Sequence, residues 1–253
     1  MKIDKILEQY KNSDKAKILQ RFFKTGKGEY GEGDIFLGLT MGQNREIAKQ
    51  FLDLGFDEIQ QLLDSEIHEK RMIGLLILVD KFKDYPTKVY NFYLKNAKKI
   101  NNWDLVDVTC HKIVGAFLLD KPRDILYKLA KSDNLWEKRI SIISTFAFIR
   151  EGDFEDTLKI AEILLGDNHD LKIQRILGPR NSKTRLRAIN VKVSSDLIHK
   201  GVGWMLREVG KKNQEVLEEF LKKHYKVMPR TMLRYTIERF EENLRQRYLK
   251  GEI

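Results

Sequence analysis

Cysteine is nearly missing from this chain of 253 residues: Cys110 is the single example. No internal disulfide can form, so packing alone must hold the fold, and a reducing, cytoplasmic setting is the natural expectation. Long apolar runs are missing too. No stretch approaches the ~20 uninterrupted apolar residues of a membrane span. Met1 to Tyr10 alternates charges with Ile and Leu, so no signal peptide is expected. Proline is scarce, with 4 residues, while Leu, Ile, Lys and Glu are abundant. That scarcity removes the strongest helix breaker and favours helix nearly throughout. Metal-ligand spacing is absent as well. The 5 histidines are scattered, Cys110-His111 has no partner pair nearby, and no second histidine follows His68-Glu69 at zinc-protease spacing. Neither a metal nor a cofactor is expected.

Gly26-Lys27-Gly28-Glu29-Tyr30-Gly31 matches the dinucleotide fingerprint in form only. That motif needs a hydrophobic strand before it and a helix directly after it. Here a basic amphipathic segment precedes it and Glu32-Gly33-Asp34 follows, which reads as an ordered loop across Thr25 to Gly42.

What the chain does have is positive charge. Against 37 acidic residues stand 47 Lys and Arg, a net charge of +10. Such an excess suits a polyanionic partner, nucleic acid above all. It is unevenly spread. The 25 residues 171–195 hold Lys172, Arg175, Arg180, Lys183, Arg185, Arg187 and Lys192 with no acid, which leaves 10 − 7 = +3 for the rest. With Gly178-Pro179 inside it, this segment reads as a basic insertion interrupting one domain of residues 1–253. Asp170-Leu171 is echoed at Asp196-Leu197. The segment is either an excursion that touches phosphates or a tolerated insertion.

Apolar residues recur at helical spacing almost everywhere, and period-two strands are lacking. The spacing predicts helices over 2–11, 14–24, 43–53, 55–63, 66–82, 85–98, 102–118, 122–131, 134–149, 153–165, 196–210, 212–224 and 229–246. Ser13-Asp14, Ser65-Glu66, Asp133-Asn134 and Ser195-Asp196 are candidate caps. Successive helix pairs at loosely HEAT-like spacing predict an all-α repeat solenoid, whose concave face would be basic.

Three helices carry candidate chemistry. In 102–118, Val106, Cys110, Ile113 and Phe117 form the core stripe, and Trp103 and Asp107 stack four apart on its flank. An indole above a carboxylate fits a cleft that attracts cations, or a partly buried Trp with a solvent Asp. In 134–149, Trp136, Ile140, Ile143 and Ala147 form the stripe. Arg139 on its flank is placed for a bidentate phosphate clamp or for a surface salt bridge. In 196–210, Ile198, Val202, Met205 and Val209 form the stripe, while Trp204 falls between Lys200, Arg207 and Lys211. An indole in a basic stripe is what a DNA-backbone surface would use; packing against a neighbouring repeat is the alternative.

"NWDLVD" at 102–107, "DNLWEKR" at 133–139 and "HKGVGWMLREVGK" at 199–211 resemble the AlkD-type DNA alkylation repair family. "EYGEGDIFLGL" at 29–39 and "HEKR" at 68–71 are also similar to it. The resemblance covers nearly the whole chain outside 171–195. It implies a HEAT-like solenoid that excises N3- and N7-alkylpurines from double-stranded DNA in base-excision repair; such chemistry fits one carboxylate with no metal or cofactor, and a monomer is the default expectation. It implies that Trp103 and Trp204 contact the lesion nucleotide's backbone and sugar, that Asp107 stabilises the oxocarbenium-like sugar and positions water, and that Arg139 binds a phosphate. Phe22, in "RFFK", matches an aromatic position of the family; with Lys200, Arg207 and Lys211 it is expected to contact DNA. The alternatives are a non-catalytic relative that binds damaged or branched DNA, and a HEAT-type scaffold for acidic partners.

Overall fold

The computed structural model describes the backbone of residues 2–177 and 182–253, with side chains outside 167–195. These residues are helical, apart from connecting turns and one isolated parallel bridge between Ile35 and Ile67. No described helix is long and apolar enough to cross a membrane. The chain forms two compact units, Met1–Phe117 and Leu118–Ile253.

The first unit holds α1 (Lys2–Tyr10), α2 (Ser13–Phe22), α3 (Met41–Lys49), α4 (Phe56–Leu63), α5 (His68–Lys81), α6 (Pro86–Lys95) and α7 (Trp103–Cys110). Local chemistry sets the helix starts. Asn12 caps α2 by accepting the Lys15 N–H at 2.9 Å. Thr40 and Gln43 form a reciprocal capping box that starts α3, two residues earlier than periodicity suggests. Ser65-Glu66 does not cap α5. Glu66 and His68 instead make the bridge to Ile35, and α5 opens at His68. Every residue from His68 to Leu78 except Lys70 is buried, so α5 is the central helix of the unit, packed by α3, α4, α6 and α7.

The helix expected over 102–118 is α only as far as Cys110. One π turn follows, His111–Gly115. Val106, Cys110 and Ile113 are fully buried as expected. The wider turn changes the angular register beyond it. Phe117 is half-buried, stacked on Tyr90 with centroids 4.0 Å apart.

The second unit holds α8 (Asp124–Ala130), α9 (Leu135–Ser144), α10 (Phe146–Arg150), α11 (Glu155–Leu177), α12 (Ser182–Lys212), α13 (Gln214–His224), α14 (Arg230–Thr236) and α15 (Glu242–Lys250). α12 is its organising element and packs against α9, α10, α13 and α14. Both predicted stripes are buried: Trp136, Ile140, Ile143 and Ala147 in α9 and α10, and Ile198, Val202, Met205 and Val209 in α12. The predicted helix 134–149 breaks at Thr145, whose hydroxyl donates to the Ile142 carbonyl at 2.7 Å. The predicted helix 229–246 breaks after Thr236, whose hydroxyl donates to Met232 O at 2.9 Å. In both places a threonine competes for a helix carbonyl.

The break in the helical pattern expected between 165 and 196 is corrected. α11 runs on to Leu177 and α12 begins at Ser182, passing straight through the expected start at Ser195-Asp196. The physical reason is compositional: Ser182 to Asp196 contains neither glycine nor proline, and Lys, Arg, Leu and Ala tolerate helix well. Gly178-Pro179 lies outside the described residues, and the seven cations of the segment lie outside the described side chains.

Candidate functional site

In the first unit the two phenylalanines that end α2 diverge. Phe23 turns inward and is buried, while Phe22 is 60% exposed. The Phe23 ring is sandwiched between Phe36, 4.9 Å away and stacked, and Trp103, 5.1 Å away and stacked. Phe22 meets Phe23 and Trp103 edge-on, at 5.1 and 5.9 Å. Each such pair adds about 0.5–1.5 kcal/mol beyond area burial, so the half-buried Trp103 is held by a rigid aromatic wall. Asp107, also half-buried, lies one turn further along α7.

Beneath these rings lies a buried ionic network that the sequence reading assigns to no role. Asp34, His68, Arg71 and Asp104 meet there although they lie up to 70 residues apart. His68 Nε2 donates to Asp104 Oδ2 at 2.9 Å, and its Nδ1 donates to Asp34 Oδ2 at 3.2 Å. Arg71 Nη2 pairs with Asp34 Oδ1 at 2.6 Å, and Asn101 Nδ2 donates to the same oxygen at 3.2 Å. Burial pushes the His68 pKa down, but the facing Asp104 charge and the hydrogen bonds to Asp104 and Asp34 outweigh it and raise it to about 9. His68 is therefore an imidazolium at neutral pH, which is why both ring nitrogens can donate. Burial raises the Asp34 carboxyl, while the His68 hydrogen bond, the Arg71 charge and Asn101 together hold it below its ordinary value. The next residue, Glu69, accepts the backbone N–H groups of Leu37, Gly38 and Leu39 at 2.9 to 3.2 Å. The "EYGEGD" and "HEKR" motifs are thus one device. They clamp the 34–39 segment to the start of α5 and to Asp104, the residue beside Trp103. The only sequence signal was that both motifs belong to the same resemblance.

A cavity of about 320 Å³ opens beside this wall. Phe22, Phe23, Phe36, Leu19 and Met72 supply apolar lining, and Asn44, His68, Glu69 and Asp104 the polar part.

In the second unit Arg139 is 5% exposed, and its Nη1 donates to the Leu197 carbonyl of α12. Gly201 makes room for it: a Cβ there would lie 3.2 Å from Arg139 Nη1. At Gly203 a Cβ would fall 2.6 Å from Tyr235 Cβ and 2.7 Å from Met232 O, so the bare backbone lets α14 approach α12. Trp204, half-buried, has its ring 5.9 Å from Phe146 and donates its indole N–H to Glu208 Oε1 at 3.2 Å. The purely basic stripe around Trp204 needs correcting. Lys200 pairs with Asp196 at 2.8 Å, Lys211 with Glu208 at 2.7 Å, and Arg207 with Glu238. A helical wheel drawn for the cations passes over Glu208, and it has no access to Glu238, which comes from beyond α14. Of the predicted site residues, then, the first unit joins Phe22 to Trp103 with Asp107 a turn away. The second places Lys200, Arg207 and Lys211 around Trp204, and buries Arg139 against the start of the same stretch of α12.

Among the described residues no cluster of three or more His, Cys, Asp or Glu could hold a metal ion. No curated protein matches the sequence. One solved structure, named as a predicted DNA alkylation repair enzyme from Enterococcus faecalis, is similar over 92% of this chain and 97% of its own, with a TM-score of 0.64 at 15% identity. At that identity the likeness establishes a shared fold. The family model described as DNA alkylation repair enzyme matches residues 3–175 and 181–240. A match over nearly the whole length, on a chain whose helices follow the same fold, establishes that this protein belongs to the DNA alkylation repair enzyme family.

Proposed function

We propose that the protein is a DNA glycosylase that hydrolyses the N-glycosidic bond of N3- and N7-alkylpurines in duplex DNA. The observation that carries this reading is the placement of Asp107 one turn along α7 from Trp103, itself fixed by Phe22 and Phe23, in a chain of the alkylation repair family. Alkylation at N3 or N7 makes the purine cationic and a good leaving group. The bond from C1′ to the base nitrogen breaks, and its electron pair neutralises the base. The sugar passes through an oxocarbenium-like state. Water adds its oxygen to C1′ and gives up a proton, leaving a free alkylpurine and an abasic sugar. No general acid is needed. The remaining demand is stabilisation of positive charge on the sugar, which a fixed carboxylate meets. Trp103 and Phe22 would pack on the lesion nucleotide. Trp204, Lys200, Arg207, Lys211 and Arg139 would supply contacts to the DNA backbone.

The test is release of 7-methylguanine and 3-methyladenine from methylated duplex DNA by wild type and by Asp107→Asn. Release by wild type should fall about 100-fold or more in the variant, the scale of losing one preorganised electrostatic partner. No release with duplex binding intact would replace this reading with a non-catalytic binder of damaged or branched DNA. No duplex binding even at low salt would leave a scaffold for acidic partners.

A further inference from the structure

The cavity in the first unit has three features of its own, and of its lining only Phe22 is shared with the contacts proposed for the lesion nucleotide. Its wall is aromatic and aliphatic, built from Phe22, Phe23, Phe36, Leu19 and Met72. Ile18 also lines it and, one turn before Phe22 on α2, is 65% exposed, so an apolar lip adjoins solvent. Its lining also includes Asn44, on α3, which is 5% exposed and whose Oδ1 meets no hydrogen-bond donor among the described residues. A buried acceptor left unpaired costs about 1–3 kcal/mol. The neighbouring polar groups differ: His68 is engaged by two carboxylates and Glu69 by three backbone N–H groups.

We propose that this cavity binds a single adenine-type purine base. The flat ring would lie on the face of the exposed Phe22 and against the edges of Phe23 and Phe36, whose own faces are already covered by Trp103 and His68. Its exocyclic amino group would donate to Asn44 Oδ1 while a ring nitrogen accepts from Asn44 Nδ2, the two-point pairing by which asparagine reads adenine. Other ligand classes fit less well. An aliphatic ligand would fill the walls and leave Oδ1 unpaired. A carboxylate or phosphate would find Lys15 and His68 in the lining, but His68 is already engaged by two carboxylates, and the anion would meet Asn44 Oδ1, Glu69 and Asp104 acceptor against acceptor. The volume lies near the low end of ligand pockets, about 300–1,000 Å³, which suits one base. That base could arrive free or project from an unstacked strand; the chemistry is shared, and it is independent of any bond breaking near Asp107.

Adenine titrated into the full chain tests this, followed by tryptophan emission, because Trp103 stacks on Phe23 of the wall. Saturable binding is expected, weakened about 10-fold or more by Asn44→Leu, the scale of one bidentate base contact, and weakened also by Phe22→Ala. Phe22 is exposed, so its truncation leaves a folded protein and carries the test if Asn44→Leu does not fold. A second arm compares an oligothymidylate strand with the same strand bearing one central dA. A gain from the dA that Asn44→Leu removes assigns the pocket to a base in a strand; adenine binding without that gain assigns it to a free base. Adenine that fails to saturate at millimolar concentration, or binds wild type and both variants alike, overturns the proposal. All readouts are of binding, so they stand or fall separately from purine release.

Discussion

His68 shows what a single residue contributes here. Its two hydrogen bonds run to carboxylates 34 residues before it and 36 after it, and no local pattern in the sequence connects the three. The aromatic wall was more legible, since Trp103 and Asp107 could be picked out from type and spacing and Phe22 from the family resemblance. The charged network under the wall could not, because only the folded chain brings Asp34, Arg71 and Asp104 to one point. Its consequence is a pH dependence with a definite sign. The folded-state pKa of His68 is about 9 against an ordinary 6.5, so the folded protein holds this proton more tightly than the unfolded chain. The associated stability is full below about pH 6.5 and is lost as pH rises through about 9. At about 1.36 kcal/mol per pH unit that gap corresponds to roughly 3 kcal/mol. Denaturant unfolding at pH 6, 8 and 10 should show wild type losing most of this margin while His68→Gln, already destabilised, loses little. Parallel pH profiles for the two proteins would show that His68 is not the titrating group.

At the scale of the element, core stripes were read well from the sequence and helix ends poorly. Every stripe residue but Phe117 is buried, because a stripe needs only the 3.6-residue period. The breaks at Thr145 and Thr236 and the π turn at 111–115 depend on which carbonyl a hydroxyl finds, or on one extra residue in a turn, and periodicity carries neither. The "HKGVGW" run held a geometric message beside its chemical one: Gly203 is where α14 touches α12. Gly203→Ala should force α14 to shift, because one obstructing atom is the Met232 carbonyl rather than a flexible side-chain tip. Overpacking of this kind costs about 1–3 kcal/mol, which in a chain of this size lowers Tm by several degrees. Gly42→Ala is the matched control. It lies within α3, its nearest obstacle is 3.8 Å away, and it should leave Tm unchanged or slightly raised by better helix propensity. Equal Tm values for the two variants would mean that the α12–α14 contact at Gly203 has room for a methyl group.

For the whole molecule, net charge is the property that composition states most directly, and +10 pointed to a polyanion. Composition does not say how the charges are paired. Lys200, Arg207 and Lys211 each face a carboxylate, two of them from Glu208 and Glu238. The Lys200–Asp196 pair is exposed and worth only about 0.2–1 kcal/mol, so a phosphate can displace that carboxylate, while the largely buried Glu208 competes for Lys211 and Arg207 more strongly. Duplex affinity should fall with salt by about 0.9 log units per log unit for every phosphate engaged. Glu208→Gln, which keeps an acceptor for the Trp204 indole, should tighten duplex binding and steepen that slope. Unchanged affinity and slope in a fluorescence anisotropy titration across salt would mean that DNA does not meet this face of α12. If it does, each contact with the duplex is an exchange of one anion for another rather than the capture of a bare cation. The net charge of +10 then overstates the grip on undamaged DNA, because every phosphate gained on this face is offset by a carboxylate released.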